Sequence, residues 1–113
     1  MFNNKSLLAG STSMLILELV RNEDMYGYQI TERLRTISDN TFDIKAGTLY
    51  PLLHSLEKDG LVSVYEQPVN GKLRKYYAIT EKGIEELEAK KNEWTVFNAA
   101  VAKIMGGGSV EGV

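Results

Sequence analysis

The chain has 113 residues, 43% of them apolar and 25% charged, with a formal charge of −2 and no cysteine. This is the composition of one soluble domain with a modest core, a size that favours an oligomer adding more. It excludes a disulfide framework and thiol chemistry, contains no apolar run near the ~20 residues of a membrane helix, and argues against a general nucleic-acid coat while leaving room for a local basic patch.

A first helix is predicted over Ser6–Val20. Leu7, Leu8, Met14, Leu15, Leu17 and Leu19 carry it, with Ile16 and Val20 on other faces. Its second half is apolar almost all round and should be buried on several sides. Gly10 and Ser11 mark a kink or a late start. The single early lysine and the interrupting Ser, Thr and Glu residues do not make a secretory signal. The cysteine-free, signal-free chain is expected in the cytoplasm, away from membranes.

Asp24 is placed to cap a second helix from about Met25 to Ile37, with Ile30, Leu34 and Ile37 as its inner stripe. Gly27 is costly near a helix start, so something should approach it closely. Tyr26, Tyr28 and Gln29 lie in the first turns. Ser38-Asp39-Asn40-Thr41 reads as a loop, and Phe42 and Ile44 as a short extended segment.

The stretch Gly47–Val62, GTLYPLLHSLEKDGLV, organises the rest. Leu49, Leu52, Leu53 and Leu56 recur at helical spacing. Thr48, Tyr50, His54, Ser55 and Lys58 fall on other faces. Pro51 is tolerated only near a first turn, so the helix should start close to Ala46–Thr48. Lys45 stands where a capping Ser or Asn would serve better, and an uncapped first turn beside a lysine suits an anion such as phosphate. A plain core helix with a poor cap fits the same residues equally well. Gly60 supplies a left-handed stop.

Leu61–Gln67 and Leu73–Thr80 are expected as strands joined by Pro68-Val69-Asn70-Gly71, in which Asn-Gly is a strong hairpin signal. Lys72, Arg74 and Lys75 make the hairpin tip basic within an acidic chain. Thr80 caps a last helix from Glu81 to about Met105, roughly 35 Å long. Its apolar line is Ile84, Leu87, Trp94, Val101 and Met105, widened by Val96, Phe97, Ala100 and Ile104. That excess of apolar surface belongs to an interface, with a second subunit as the simplest occupant. The predicted class is α+β, mainly α: a winged helix-turn-helix over residues 1–80, a dimerisation helix over 81–105 and a flexible tail over 106–113.

Tyr26-Gly27-Tyr28-Gln29-Ile30, GTLYPLLHSLEKDGLV (47–62) and GKLRKYYAITEKG (71–83), in this spacing, resemble the PadR family of bacterial transcriptional regulators. The resemblance runs from about Leu7 to Trp94. The short last helix resembles the small subgroup of that family, which includes a multidrug-responsive lactococcal regulator whose paired tryptophans flank a hydrophobic pore. Trp94 stands at the equivalent place. The chain departs from the family at Ser55, where Arg is frequent, at Leu73, where Pro is frequent, and at Ala78. The resemblance implies a homodimeric repressor reading a pseudo-palindromic duplex operator with its third helix, the wing lying along the backbone or minor groove.

The residues expected near DNA are Tyr28 and Gln29, then Lys45, Thr48, Tyr50 and His54, then Lys72, Arg74, Lys75 and Tyr76 on the wing. Tyr50 and Tyr28 have core packing as an alternative; Tyr77 and Ile79 are expected in the core. Leu7, Leu8, Leu15, Leu87, Trp94, Val101 and Ile104 are expected at the dimer interface. Trp94, Phe97 and Val101, with Lys91 and Asn98 interrupting the seam, are candidates to hold a small hydrophobic or aromatic effector of the multidrug or phenolic type. With one histidine and no cysteine there is no nucleophile–base pair and no metal cluster, so neither an enzyme nor a cofactor is expected. The competing reading is a winged-helix module that binds protein, which has no need of three cations on the wing.

Overall fold

A computed structural model of the chain describes residues 5–106, with side chains from residue 11 onward. The elements follow the order α1 (Lys5–Asn22), β1 (Met25–Tyr26), α2 (Gly27–Ile37), α3 (Ala46–Lys58), β2 (Val62–Val69), β3 (Lys72–Ile79) and α4 (Glu81–Ile104). Helix α1 runs through Gly10 and Ser11 without a break, so the late start does not occur. Its second half does lie at the centre of the molecule: Ile16, Leu17, Leu19 and Val20 are all buried. Around them pack Ile30 and Leu34 of α2, Leu49, Leu53 and Leu56 of α3, and Met25, Val62, Tyr77 and Leu87.

The expected second helix starts two residues later than its periodicity indicates. Met25 and Tyr26 form a short strand instead, paired antiparallel with Tyr77 and Tyr76 of β3. Asp24 therefore does not cap α2; its carboxylate accepts the Tyr65 hydroxyl at 2.7 Å. The cap comes from within the helix, where Gln29 Oε1 accepts the Tyr26 N–H at 3.1 Å. Ile37 is 64% exposed, because the apolar stripe outruns the core beyond Leu34. The Phe42–Ile44 segment is not a strand. It anchors the connection to α3 by burying Ile44 and tucking Phe42 against the core.

The sheet has three strands in the order β1-β3-β2. The hairpin strands run further toward the tip than expected and take in Pro68 and Val69. Asn70 and Gly71 form the whole turn, with φ of 52° and 81°, the left-handed pair of a two-residue hairpin. Pro68 is admissible because β2 is an edge strand, where a missing N–H costs no ladder bond.

At the end of α3, Gly60 stands at φ 76° and supplies the stop that the sequence implies. Thr80 Oγ1 accepts the Gly83 N–H at 3.0 Å and donates to Gly60 O at 2.7 Å, so one side chain both caps α4 and fastens it to the end of α3. Gly83 lies against the backbone there. A Cβ added to it would sit 2.1 Å from Leu61 O and 2.7 Å from Ile79 Cγ1. The carbonyl is held by the Thr80 N–H at 3.1 Å and has nowhere to move. Gly83→Ala should therefore destabilise the fold by about 2 kcal/mol or more, seen as a fall of roughly 10 °C in thermal midpoint for a domain of this size. An unchanged midpoint would show that α4 does not dock so closely.

Helix α4 has two unlike halves. The first lies along α1, with Leu87 fully buried and the ion pairs Arg21–Glu88 and Lys91–Glu18, the latter at 3.2 Å. The core is thus continuous across position 80. From Asn92 onward every described residue is exposed, so this half of a helix about 36 Å long projects from the body. The tail from residue 107 lies outside the described residues.

Candidate nucleic-acid interface

Helix α3 buries Leu49, Leu53 and Leu56, which leaves an outer face. Gly47, Pro51, His54 and Lys58 follow one another at intervals of four, three and four, so they share one line along that face. Thr48 and Ser55 border the line, and all six are exposed. Gly47, Pro51 and Lys58 are not among the residues that the sequence points to as near DNA. The intervals alone identify them once the buried leucines are known. As expected, no side chain caps the first turn, whose N-cap is Lys45.

Tyr50 lies on the opposite border of the outer face and is 49% exposed. Its hydroxyl rests where a Cβ on Gly27 would stand, 2.3 Å from that ideal position. This is the close approach that Gly27 implied, and it ties α3 to the first turn of α2. Beside it runs an open cleft of about 380 Å³ lined by residues that include Tyr28, Arg35, Lys45 and Tyr50. Tyr28 is 62% exposed. Gln29 is less available than expected, since its side-chain oxygen already serves the α2 cap.

The wing cations do not form one patch. Side chains alternate across a strand, so Lys72, Arg74 and Tyr76 share one face of β3, and Lys75 lies on the other with Leu73 and Tyr77. Tyr76 is not presented to solvent as an isolated DNA-facing residue. It stacks on Tyr65 at 5.5 Å between ring centroids and meets the edge of Tyr26 at 5.4 Å. The Arg74 guanidinium stands over the Tyr26 ring at 5.2 Å. The hydrogen bond to Asp24, with some burial, raises the pKa of Tyr65; burial above all raises that of Tyr77. Both hydroxyls therefore stay protonated through the neutral range, and what they contribute to stability is lost only on the alkaline side of the ordinary tyrosine pKa.

Charge pairing separates the cations into two groups. Arg21, Arg33, Arg35, Lys90 and Lys91 each pair with a glutamate, and Lys45 lies 3.6 Å from Asp43. Lys82 donates to the Asp59 carbonyl at 3.0 Å. Among the described residues, Lys58 of α3, Lys72, Arg74 and Lys75 of the wing, and Lys103 at the far end of α4 have no acidic partner, and Lys82 meets only that carbonyl. Tyr26, Tyr65 and Asp24 were not expected in the site. They reach it through pairings that no local pattern reveals.

On the last helix, Trp94 and Phe97 lie 6.4 Å apart between ring centroids. Trp94 is 46%, Phe97 61%, Val101 38% and Ile104 84% exposed, at intervals of three, four and three. Asn98 is exposed beside them. Lys91 does not break up this seam, because it is drawn to Glu18 of α1. Leu87 has no surface left for a partner, and Leu15 is partly buried against the core. The side chains of Leu7 and Leu8 lie outside the described residues. No described helix is long and apolar enough to cross a membrane.

The sequence matches the family described as Transcriptional regulator PadR-like family over residues 16–89. Among solved structures, a transcriptional regulator from Clostridium thermocellum is 34% identical, with a TM-score of 0.81, over 87% of this chain and 96% of the other. A PadR-like transcriptional regulator from Bacillus cereus is 31% identical, with a TM-score of 0.80, over 90% and 98%. A transcriptional regulator of Mycobacterium tuberculosis is 35% identical over 68 residues, 60% of this chain and 61% of that protein. The two solved structures share the α+β winged-helix fold, and all three relatives are transcriptional regulators, not enzymes. The chain belongs to the PadR-like family of transcriptional regulators.

Proposed function

We propose that the protein is a homodimeric repressor that binds a pseudo-palindromic duplex operator. The observation that carries this is the charge pairing: the described cations of α1 and α2 and the middle of α4 are matched by acids, whereas Lys58 of α3 and all three cations of the wing are not. Unmatched cations in a protein of net charge −2 have a use at a polyanion, where they release condensed counterions. The uncapped first turn of α3, beside Lys45, adds backbone donors suited to a phosphate. Thr48 and His54 on the outer face of α3 meet base edges or adjacent phosphates. Residues 1–80 form the DNA-binding part and 81–105 the assembly helix, and the protein works in the cytoplasm. A small apolar or aromatic effector of the multidrug or phenolic type, held between the two copies of Trp94, releases the DNA by altering the spacing of the α3 helices.

The test is selection from a randomised duplex pool with the full-length protein, followed by footprinting. The expected product is a two-fold symmetric site with half-sites about one helical turn apart. A reporter placed behind that site should be silenced by the protein. A protein that enriches no sequence and shifts no duplex would refute the proposal and leave the protein-binding module in its place.

A further inference from the structure

The wing carries three cations, and only one of them is held. Lys72 and Lys75 are exposed, with no partner among the described residues. Arg74 is half-buried, and its guanidinium lies over the ring of Tyr26 at 5.2 Å. Its Nε is buried and meets no acceptor, so that edge of the group is turned into the sheet surface and the two terminal nitrogens remain to act outward. Tyr26 is itself fixed. It is the register partner of Tyr76, its ring meets Tyr76 edge-on, and Tyr76 stacks on Tyr65. Tyr65 in turn donates its hydroxyl to Asp24, two residues before Tyr26. Segment 24–26 and the hairpin are thereby clasped at two points, a hydroxyl on a carboxylate and a guanidinium on a ring.

We propose that Tyr26 is a positioning residue for DNA recognition by the wing: its ring holds the Arg74 guanidinium in one orientation, so that Arg74 makes the directed contact and Lys72 and Lys75 contribute charge. The inference rests on the DNA-binding reading. A planar guanidinium gains from this treatment where an ammonium does not, because its fork of donors must meet phosphate or base oxygens in a fixed plane. Arginine also carries large rotamer entropy, and a side chain already ordered in the free protein loses less of it on binding. The strand register explains why residue 26 can serve: Arg74 is the diagonal neighbour of Tyr26 across β1 and β3, within reach of an aromatic ring.

The experiment is a double-mutant cycle on affinity for the duplex that the wild-type protein enriches from a randomised pool. Tyr26→Leu should weaken binding by about 10-fold, the scale of removing the ring from beneath the cation in both subunits. Tyr26→Phe keeps the ring and should stay within about twofold of wild type. The double variant Tyr26→Leu/Arg74→Ala should bind no more weakly than Arg74→Ala alone. Additive losses would mean that Tyr26 acts through the sheet and not through Arg74, and would overturn the inference, as would an equal loss in Tyr26→Phe. A second readout needs no variant. In the free protein the Arg74 Nε–H signal in nitrogen-edited NMR should be displaced upfield by the ring current and exchange slowly with water. An ordinary shift with fast exchange would overturn the inference even if Tyr26→Leu failed to fold. Failure of the wild-type protein to bind any duplex would refute the DNA reading itself, whereas additivity in a protein that binds refutes only the role of Tyr26.

Discussion

Between about 50 and about 200 mM salt, affinity for the selected duplex should fall by roughly 10³–10⁵-fold, the behaviour of a protein that neutralises ~6–10 phosphates. The number follows from the unmatched cations. Helix α3 and the wing present Lys58, Lys72, Arg74 and Lys75 without an acidic partner, and the proposed dimer doubles the set. Replacing Lys72, Arg74 and Lys75 together by Ala should weaken binding to all sequences alike and flatten the salt slope by about 0.9 for each phosphate no longer neutralised. Since Lys75 occupies the other face of the strand from Lys72 and Arg74, its single replacement should have the smallest effect of the three. Thr48→Ala, on the outer face of α3, should change preference at one position in each half-site and leave the slope as it is. A triple variant with wild-type affinity would remove the wing from the interface.

The second large effect is expected at the far half of α4. Phe97 and Val101 are exposed on the half of α4 that leaves the body, where they continue an apolar seam with Trp94 and Ile104 that no part of the described chain covers. Burying such side chains contributes about 1.5–3 kcal/mol each, and a two-fold buries each of them twice. Phe97→Glu/Val101→Glu should therefore raise the dimer dissociation constant by about 10³-fold or more, seen by sedimentation, with the helical content of the subunit unchanged. The DNA affinity should fall with it, because half-sites are then bound one at a time. A wild-type protein that sediments as a monomer at micromolar concentration would refute the dimer. Calorimetric titration with planar aromatic cations and phenolic acids, wild type against Trp94→Ala, tests the effector slot on the same seam. Heat that saturates in the first and is absent in the second is the expected result, and silence across a broad panel would leave Trp94 a packing residue.

Much of the framework was legible in the sequence because it rests on short-range chemistry. Pro51 and Gly60 bracket α3, Thr80 caps α4, and Asn70-Gly71 turns the hairpin, all through interactions within a few residues. Gly27 announced a close neighbour correctly, because glycine in an early helical turn needs a reason. The leucine intervals of α3 identified its buried face and so, by subtraction, its exposed face.

The order of elements, their stops and caps, the buried face of α3 and the basic character of the wing thus follow from the amino acids alone. Which partners those elements meet follows from how they pack. A periodic pattern states that a face is apolar but not how far the core beneath it extends, which is why Ile37 emerges into solvent and Leu87 disappears from it. Strand pairing draws Met25 and Tyr26 out of the helix they resemble. Asp24, Gln29 and Lys91 each had a plausible local role and took another, the first and last of these with partners 41 and 73 residues away. The wing is the clearest case. Its cations are adjacent in sequence, yet the alternation of a strand separates Lys75 from Lys72 and Arg74, and only the antiparallel register with β1 brings Arg74 over Tyr26. Residues far apart in the chain become neighbours by hydrogen bonding between backbones, and backbone hydrogen bonds carry no side-chain signature for a sequence to display.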